Sequence, residues 1–505
     1  MAVLLSFLWL LLPALLSFFF IKKIRQSKLK LPPSPPQLPI IGNLHQLGDS
    51  DLPHRSLAVL SKKYGPVMLL RFGFAPVVVI SSSEGAEAVL KTHDLECCTR
   101  PKLFGTRKLS HGYRDIGVSP YGEGWRERRK LAVREVFSVK KVQSFMGIRE
   151  EECNLLVKEL TESASKQSTV NLSKTLLWYS ASIIFKAAFG QDFHTSKIID
   201  KNRMEDLIFE AETVFASLSY SDFFPGGVGW MIDWLKGQHK RMDEIFVEMN
   251  TFFQKVIDEH LKPERSTKDQ RDVIDAMLEM VQSHGKDRSS NFSELNIKAV
   301  SVNLFLAGID TSAITMVWVM TELVRKPALM KKVQDEIRKC IGENKEMITQ
   351  EDVDKVHYLK LVIKETLRLH PPAPMLLPRE TMSQIKIQGY DIPANTRLQI
   401  NTWAIGRDPK YWTNPDEFNP DRFVDNPVDN KGQHFQLLSF GSGRRMCPGM
   451  NLGMANVEWA LVNLLYFFDW KLPQGMAVED IDLEEAGTLT VIKKVPLELV
   501  PVLRH

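Results

Sequence analysis

A chain of 505 residues exceeds what one hydrophobic core ordinarily organises, and by size alone it would divide into two or three domains. No internal repeat and no Gly/Ser-rich linker marks such a division. Lys and Arg number 65 against 61 Asp and Glu, a formal net charge of +4, which is too balanced for a nucleic-acid partner. The five cysteines (Cys97, Cys98, Cys153, Cys340 and Cys447) are odd in number and lack Cys-x-x-Cys or zinc spacing, which argues against a disulfide scaffold and for a reducing cytosolic setting.

Residues 2–21 carry no charge, and a helix of about 20 residues spans roughly 30 Å of hydrocarbon. Lys22, Lys23, Arg25, Lys28 and Lys30 come next with no acidic residue among them, so the positive-inside rule puts the remainder of the chain on the cytosolic side. We therefore expect a transmembrane anchor at 1–21, a basic and Pro-rich hinge at 22–40 and a folded domain at 41–505. A cleaved signal peptide is the alternative, opposed by the long apolar run and the basic residues after it. Pro13 is tolerable in a membrane helix. The stretch from Leu31 to Pro36 reads LPPSPP, a stiff and extended spacer.

Further along, 67–80 gives two β-rich runs about a Gly/Pro turn, a hairpin signal. From 125 to 370 the spacing of charged and apolar residues is largely helical. Asn291 with Glu294 predicts an N-terminal cap, and apolar-periodic sequence then runs to Arg325, just before Pro327. That helix of about 30 residues would be roughly 45 Å long. The tail from 372 is richer in Pro, Gly and β-formers, with strands expected near 384–388, 397–401, 488–492 and 496–503.

Four constellations carry chemistry. Phe440-Gly-Ser-Gly-Arg-Arg-Met-Cys447-Pro-Gly449 wraps one cysteine in small residues and arginines. Nearby cations and backbone N–H groups depress a thiol's pKa, and thiolate is the metal-binding form. Gly441, Gly443 and Gly449 let backbone pass close to a flat ligand, while Arg445 offers a fork for a carboxylate. Inside the long helix, Gly308 costs about 1 kcal/mol relative to Ala, which points to close approach or local unwinding. Asp310 and Thr311 come just after it, although a threonine there can equally bond back to a carbonyl one turn earlier. Glu365 and Arg368 sit three apart among leucines, a pair that needs further partners if buried. Trp125 and Arg129 share one helix face, whereas Arg126 and Arg128 read as a solvated face.

The pattern Phe-x-x-Gly-x-Arg-x-Cys-x-Gly resembles the haem-binding signature of cytochromes P450, and the remaining motifs occur in that family's order. The resemblance implies a mainly α fold with small β-sheets behind an N-terminal anchor, with haem as cofactor and Cys447 as its axial thiolate. It places Phe440, Gly441, Gly449 and Ala307 against the haem, and gives Trp125, Arg129, Arg379, Arg445 and Arg100 as propionate partners. It further makes Thr311 and Asp310 the acid-alcohol pair that binds dioxygen and relays protons. Glu365 and Arg368, with Arg422 of Pro420-Asp-Arg-Phe423, form a structural triad; Asp421 departs from the commoner Glu there. Phe215, Leu304, Ala373, Leu377 and Leu489 line the substrate pocket by position, though the same residues would serve as ordinary core.

The wording of the motifs is similar to plant microsomal enzymes of the 71-type group. The implied reaction inserts one atom of O2 into a hydrophobic small molecule, a plant specialised metabolite. No Gly-x-Gly-x-x-Gly comes after a strand, so NADPH-derived electrons are expected from a separate cytochrome P450 reductase, with cytochrome b5 as a further donor. The implied location is the endoplasmic reticulum membrane, single-pass, with the lipid bilayer as partner. An isomerase or dehydratase that needs no external electrons, and a non-catalytic haem sensor, are the alternatives; NADPH consumption with reductase separates both from a monooxygenase.

Overall fold

The structure, a computed structural model, describes residues 29–47, 52–196, 198, 200–216, 219–224, 226–263, 271–284, 292–487 and 489–504. The expected anchor and Asn291 lie outside the described residues. Among the described residues, twelve helices of eight or more residues dominate: α1 (Pro53–Tyr64), α2 (Glu123–Ala132), α3 (Met146–Ser165), α4 (Leu172–Phe189), α5 (Lys201–Ala216), α6 (Val228–Leu235), α7 (Gln238–His260), α8 (Val273–His284), α9 (Glu294–Arg325), α10 (Pro327–Ile341), α11 (Tyr358–Leu369) and α12 (Met450–Phe467). Eleven short strands among the same residues run β1 (Val67–Phe72), β2 (Ala75–Ile80), β3 (Val170–Asn171), β4 (Arg379–Glu380), β5 (Ile385–Ile387), β6 (Tyr390–Ile392), β7 (Arg397–Ile400), β8 (Phe468–Lys471), β9 (Glu485–Gly487), β10 (Val491–Lys493) and β11 (Glu498–Leu503). The architecture is the expected one, mainly α with small sheets.

Helix α9 is the axis of the molecule. Its 32 residues begin after Ser293, whose backbone N–H and hydroxyl both reach Asn296 Oδ1, at 2.9 and 3.2 Å. Ser293 is thus the residue at the helix start, where we expected Asn291. Pro327 opens α10 directly behind its end, since proline lacks the N–H a continuing helix needs. The helix is long and apolar enough to cross a membrane, yet most of it is buried, so here it is a core helix. Its largest partner is α4, and Gly308 shows why: a Cβ there would lie 2.9 Å from Ile184 Cδ1. Close approach accounts for this glycine, since the helix runs unbroken through it.

The largest sheet has the order β1-β2-β7-β4. Antiparallel β1 and β2 pair Val67 with Ile80, and β7 joins β2 in parallel. The Pro-rich stretch lies along it, with Leu69 N donating to Pro33 O at 2.8 Å. In the tail, β5, β7 and β11 lie at three of the expected strands. The run 488–492 instead divides: β9 and β10 form a hairpin, and 489–490 belong to the turn after Gly487, whose φ is 136°. That hairpin is pinned by Glu485, which accepts from Arg55 Nη2 at 2.8 Å and from His54 Nε2 at 3.2 Å.

A buried ion cluster fixes the other side of the core. Glu365 and Arg368 are both almost wholly inaccessible; Arg368 Nε and Nη2 donate to the carboxylate at 2.7 and 2.8 Å, and Arg422 Nε adds 2.9 Å. Arg368 Nη1 also donates to the carbonyls of Gly406 and Pro415, at 2.7 and 2.6 Å. Breaking such a pair from one side typically costs about 3–5 kcal/mol, because the remaining charge stays buried. Arg368→Met should therefore lower the urea unfolding midpoint by that equivalent, and a midpoint equal to the parent's would contradict the assignment.

Candidate functional site

The cysteine loop is shaped by backbone closure and by two left-handed glycines. Cys447 N donates to Phe440 O at 2.9 Å and Met446 N to Gly443 O at 3.1 Å. Gly441 and Gly443 have φ near 67° and 70°, which side chains rarely adopt, and a Cβ on Gly443 would collide with Asp94. The loop then enters α12, where a Cβ on Gly453 would lie 3.6 Å from Ser312 Oγ, so the cysteine loop abuts α9 beside Thr311. The Cys447 side chain is accessible, whereas Cys97, Cys98 and Cys153 are buried. Although the Cys447 surface is reachable, the protein packed around it strips water from the thiol and pushes its pKa up, against the N–H groups of Gly449 and Met450 and the Arg129 guanidinium. In the protein alone desolvation thus outweighs the lowering we expected from the cations.

Four arginines converge on this loop from distant parts of the chain. Arg445 donates through Nε to Cys98 O and through Nη2 to Ser119 O, both at 2.7 Å, and its guanidinium lies 3.9 Å over the Trp125 ring. Arg129 Nη2 donates to Met446 O at 2.5 Å. Arg100 donates to Gly117, Leu377 and Pro378 carbonyls, and Arg379 to Asp94 and Ser442 O. Trp125 Nε1 donates to Ile116 O at 3.0 Å. Burial, then the neighbouring Arg445 and Arg379 charges, push Arg100 well down, while burial lowers Arg445 to about 10. Among the described residues, Asp94, bonded to Arg379, and Asp115 are the nearest carboxylate charges, and Asp94 is shared with Arg444. Arg445 Nη1 is buried with no hydrogen-bond partner among the described residues. This surplus of fixed cations, one with an orphan donor, beside an accessible thiol fits a flat, dianionic, thiolate-ligated group such as haem.

Arg128 corrects one expectation. It is not on a solvated face: Nε donates to Asp115 O at 3.1 Å and Nη2 to Ser119 Oγ at 3.3 Å, so it braces the same loop, while Arg126 is exposed as expected.

On α9, Ala307 is exposed and Thr311 half-buried in a helix otherwise packed on nearly every side. Four apart, they share a face and mark where the helix borders open space. The Thr311 hydroxyl donates to Ala307 O at 2.7 Å, the back-bond that the sequence left open. Asp310 turns elsewhere, accepting from Thr490 Oγ1 at 2.6 Å and meeting Glu212 of α5. Phe215, Leu304, Leu377 and Leu489 fall in or against one apolar cluster; Ala373 does not, lying instead where its carbonyl accepts from Leu376 N. Glu212, Thr490, Asp94 and Met446 escaped the sequence reading. None left a distinguishing signal there: Glu212 stands among the other acids of its helix, Glu205, Asp206 and Glu210.

Residues 32–499 match the family Cytochrome P450. Cytochrome P450 71B19 of Arabidopsis thaliana is 61% identical over 485 residues, 96% of either chain. Cytochrome P450 71B16 of the same plant is 60% identical over 499 residues, 98% of this chain and 99% of its own. A zebrafish cytochrome P450 solved with abiraterone superposes with a TM-score of 0.73 at 25% identity, over 90% of this chain and 100% of its own. These likenesses do not favour the isomerase or the sensor. They make haem the cofactor, O2 and NADPH-derived electrons the co-substrates, and a reductase the redox partner. The chain belongs to the cytochrome P450 family, as a plant 71-type haem-thiolate monooxygenase that inserts one oxygen atom from O2 into a hydrophobic small molecule.

Proposed function

We propose that Cys447 is the sole protein ligand to the haem iron and that Arg100, Arg129, Arg379 and Arg445, with Trp125, hold its propionates. The observation that carries this is the accessible cysteine beside a buried cluster of arginines with too few carboxylates. When bound, the haem supplies the oxygen activation. The chain supplies position and protons. Phe440, Gly441, Gly449 and Ala307 leave room for a flat group, and the Arg445 orphan donor turns toward a carboxylate. Rotation about χ1 swings the Thr311 hydroxyl from Ala307 O to the cavity, where Oγ1 holds a proton; Asp310, on the neighbouring position of the helix, restores it. Phe215, Leu304, Leu377 and Leu489, with Ala373 at the edge, cover an apolar substrate and exclude water. The Glu365, Arg368 and Arg422 cluster acts on stability and not on the chemistry.

The same reading places 1–21 as a single-pass anchor in the endoplasmic reticulum membrane, 22–40 as its hinge and 41–505 as the catalytic domain on the cytosolic face, with cytochrome b5 as a second electron donor. Supporting the bilayer as partner, α6 exposes Trp230, Met231, Trp234 and Leu235, and Phe74 is exposed on the adjoining β1–β2 turn, where it meets Phe224 edge-on at 6.3 Å. An apolar patch of this kind suits a lipid surface.

Three outcomes test the reading. Cys447→His should abolish the red-shifted Soret band of the reduced carbon-monoxide complex, which depends on thiolate donation, while Ser at 97, 98, 153 or 340 leaves it; dependence on another cysteine would overturn the assignment. Thr311→Ala should let NADPH consumption outlast product formation, with coupling falling by up to about 10²-fold and substrate-induced spectral shifts unchanged. Thr311→Ser should recover part of the coupling, and unchanged product per NADPH in Thr311→Ala would reduce the residue to a helix-face threonine. Deleting 1–21 should move much of the protein from the microsomal to the soluble fraction with haem retained; loss of haem would make the segment part of the fold.

A further inference from the structure

Behind Thr311 a closed knot of acids joins three elements that the sequence keeps far apart. Asp310 of α9, Glu212 of α5 and Thr490 of the β9–β10 turn are 7%, 4% and 6% exposed. The Thr490 hydroxyl lies 2.6 Å from Asp310 Oδ2 and in still closer contact with Glu212 Oε2. A hydroxyl carries one hydrogen and ionised carboxylates only accept, so it can donate to one of the two. The other link closes only when that carboxyl carries a proton. Both acids thus crowd one hydroxyl in a single buried site, where two like charges disfavour both being ionised at once. Neither acid has an ion-pair partner among the described residues.

The knot forms the floor of a cleft of about 290 Å³ between α4, α5 and the β9–β10 hairpin, whose lining reaches the exposed Asp206 and Lys494. The other charged groups facing it are Lys174, Glu205 and Lys493. Lys174 is bonded to Asn202 at 2.9 Å, Lys493 to Val495 O at 2.5 Å and Lys494 to Glu484 at 2.6 Å. These cations are engaged with their own partners, so Glu212 and Asp310 are left to be neutralised by a proton.

We propose that Glu212 is a positioning residue for the monooxygenation: it shares one proton with Asp310 across Thr490, and the cleft is the port through which solvent replaces that proton at each turnover. The inference deepens the reading of Asp310 and Thr311 as a proton relay and rests on it. A turnover consumes two protons, and each in turn leaves Asp310 toward Thr311, so that the pair is left as two carboxylates with the Thr490 hydroxyl between them. A hydronium in the cleft then protonates Glu212 and leaves as water. The relay moves no electrons, which come from NADPH through the reductase. Burial pushes Asp310 up to about 6, and burial together with the Asp310 charge pushes Glu212 further, consistent with one proton being held at neutral pH.

The test uses the anchored holoenzyme with its reductase. Infrared difference spectra in H2O and D2O at neutral pH should contain the carbonyl stretch of a protonated carboxyl, absent in Glu212→Gln and shifted in Asp310→Asn, where the buried Glu212 keeps its proton beside a neutral amide. Glu212→Gln should also lose product per NADPH severalfold, and its coupling should fall as pH rises through neutrality while the parent's holds, because the proton Glu212 holds is gone and Asp310, pushed up only to about 6, ionises across that range. Thr490→Val should behave like Glu212→Gln and Thr490→Ser like the parent, a series that serves equally if Glu212→Gln fails to fold. A role confined to pinning α5 would shift KM and leave the band and the pH profile alone, which overturns the proposal. So does a band that disappears without any change in coupling. Unchanged coupling in Thr311→Ala would instead bring down the underlying relay, and this proposal with it, whatever the band shows.

Discussion

Too many arginines for the carboxylates at hand is the constraint on which the site depends. Leaving a buried guanidinium without a counterion costs several kcal/mol, so three of the four here are held by backbone carbonyls in place of acids, and Arg379 by the Ser442 carbonyl together with Asp94. Arg445 takes the carbonyls of Cys98 and Ser119, Arg129 that of Met446, and Arg100 those of Gly117, Leu377 and Pro378. Because those carbonyls belong to separate segments, the cations tie the cysteine loop, α2 and the strand β4 region into one frame. Carbonyl dipoles moderate the charge without cancelling it, which leaves the site suited to a group that carries two carboxylates.

Helix α9 divides the chemistry between its faces. Ala307 and Thr311 border open space, Gly308 lets the helix seat against Ile184, and Asp310 faces the acids of the opposite side. A single unbroken helix thus carries the Thr311 hydroxyl and the Asp310 carboxyl at adjacent positions that face different surroundings.

Local pattern made much of this legible. The β-branched runs about Gly73 declared the hairpin, and Pro327 fixed the end of α9. The cysteine loop and the Glu365–Arg368 spacing announced themselves through residue types at short range. What escaped were features set by topology. The sequence shows basic residues around Cys447 but not how deeply it sits, so burial reversed the expected direction of its pKa. Arg128 read as solvated because the carbonyl of Asp115 and the hydroxyl of Ser119 reach it only in the fold. Glu212 and Asp310 are each one acid among several in their helices, and nothing in either helix foretells that they meet. The strand expected at 488–492 failed for a local reason that is hard to see in sequence: at Gly487 the chain takes a conformation open to glycine, and the turn displaces the strand to Val491.

Coordination of the iron by Cys447 sulfur is open to resonance Raman spectroscopy of the ferric holoenzyme grown with heavy-sulfur cysteine. An iron–sulfur stretching band should move to lower frequency with the label and be missing in Cys447→Ser. A band insensitive to the label, or one that survives in Cys447→Ser, would assign the ligand to another group.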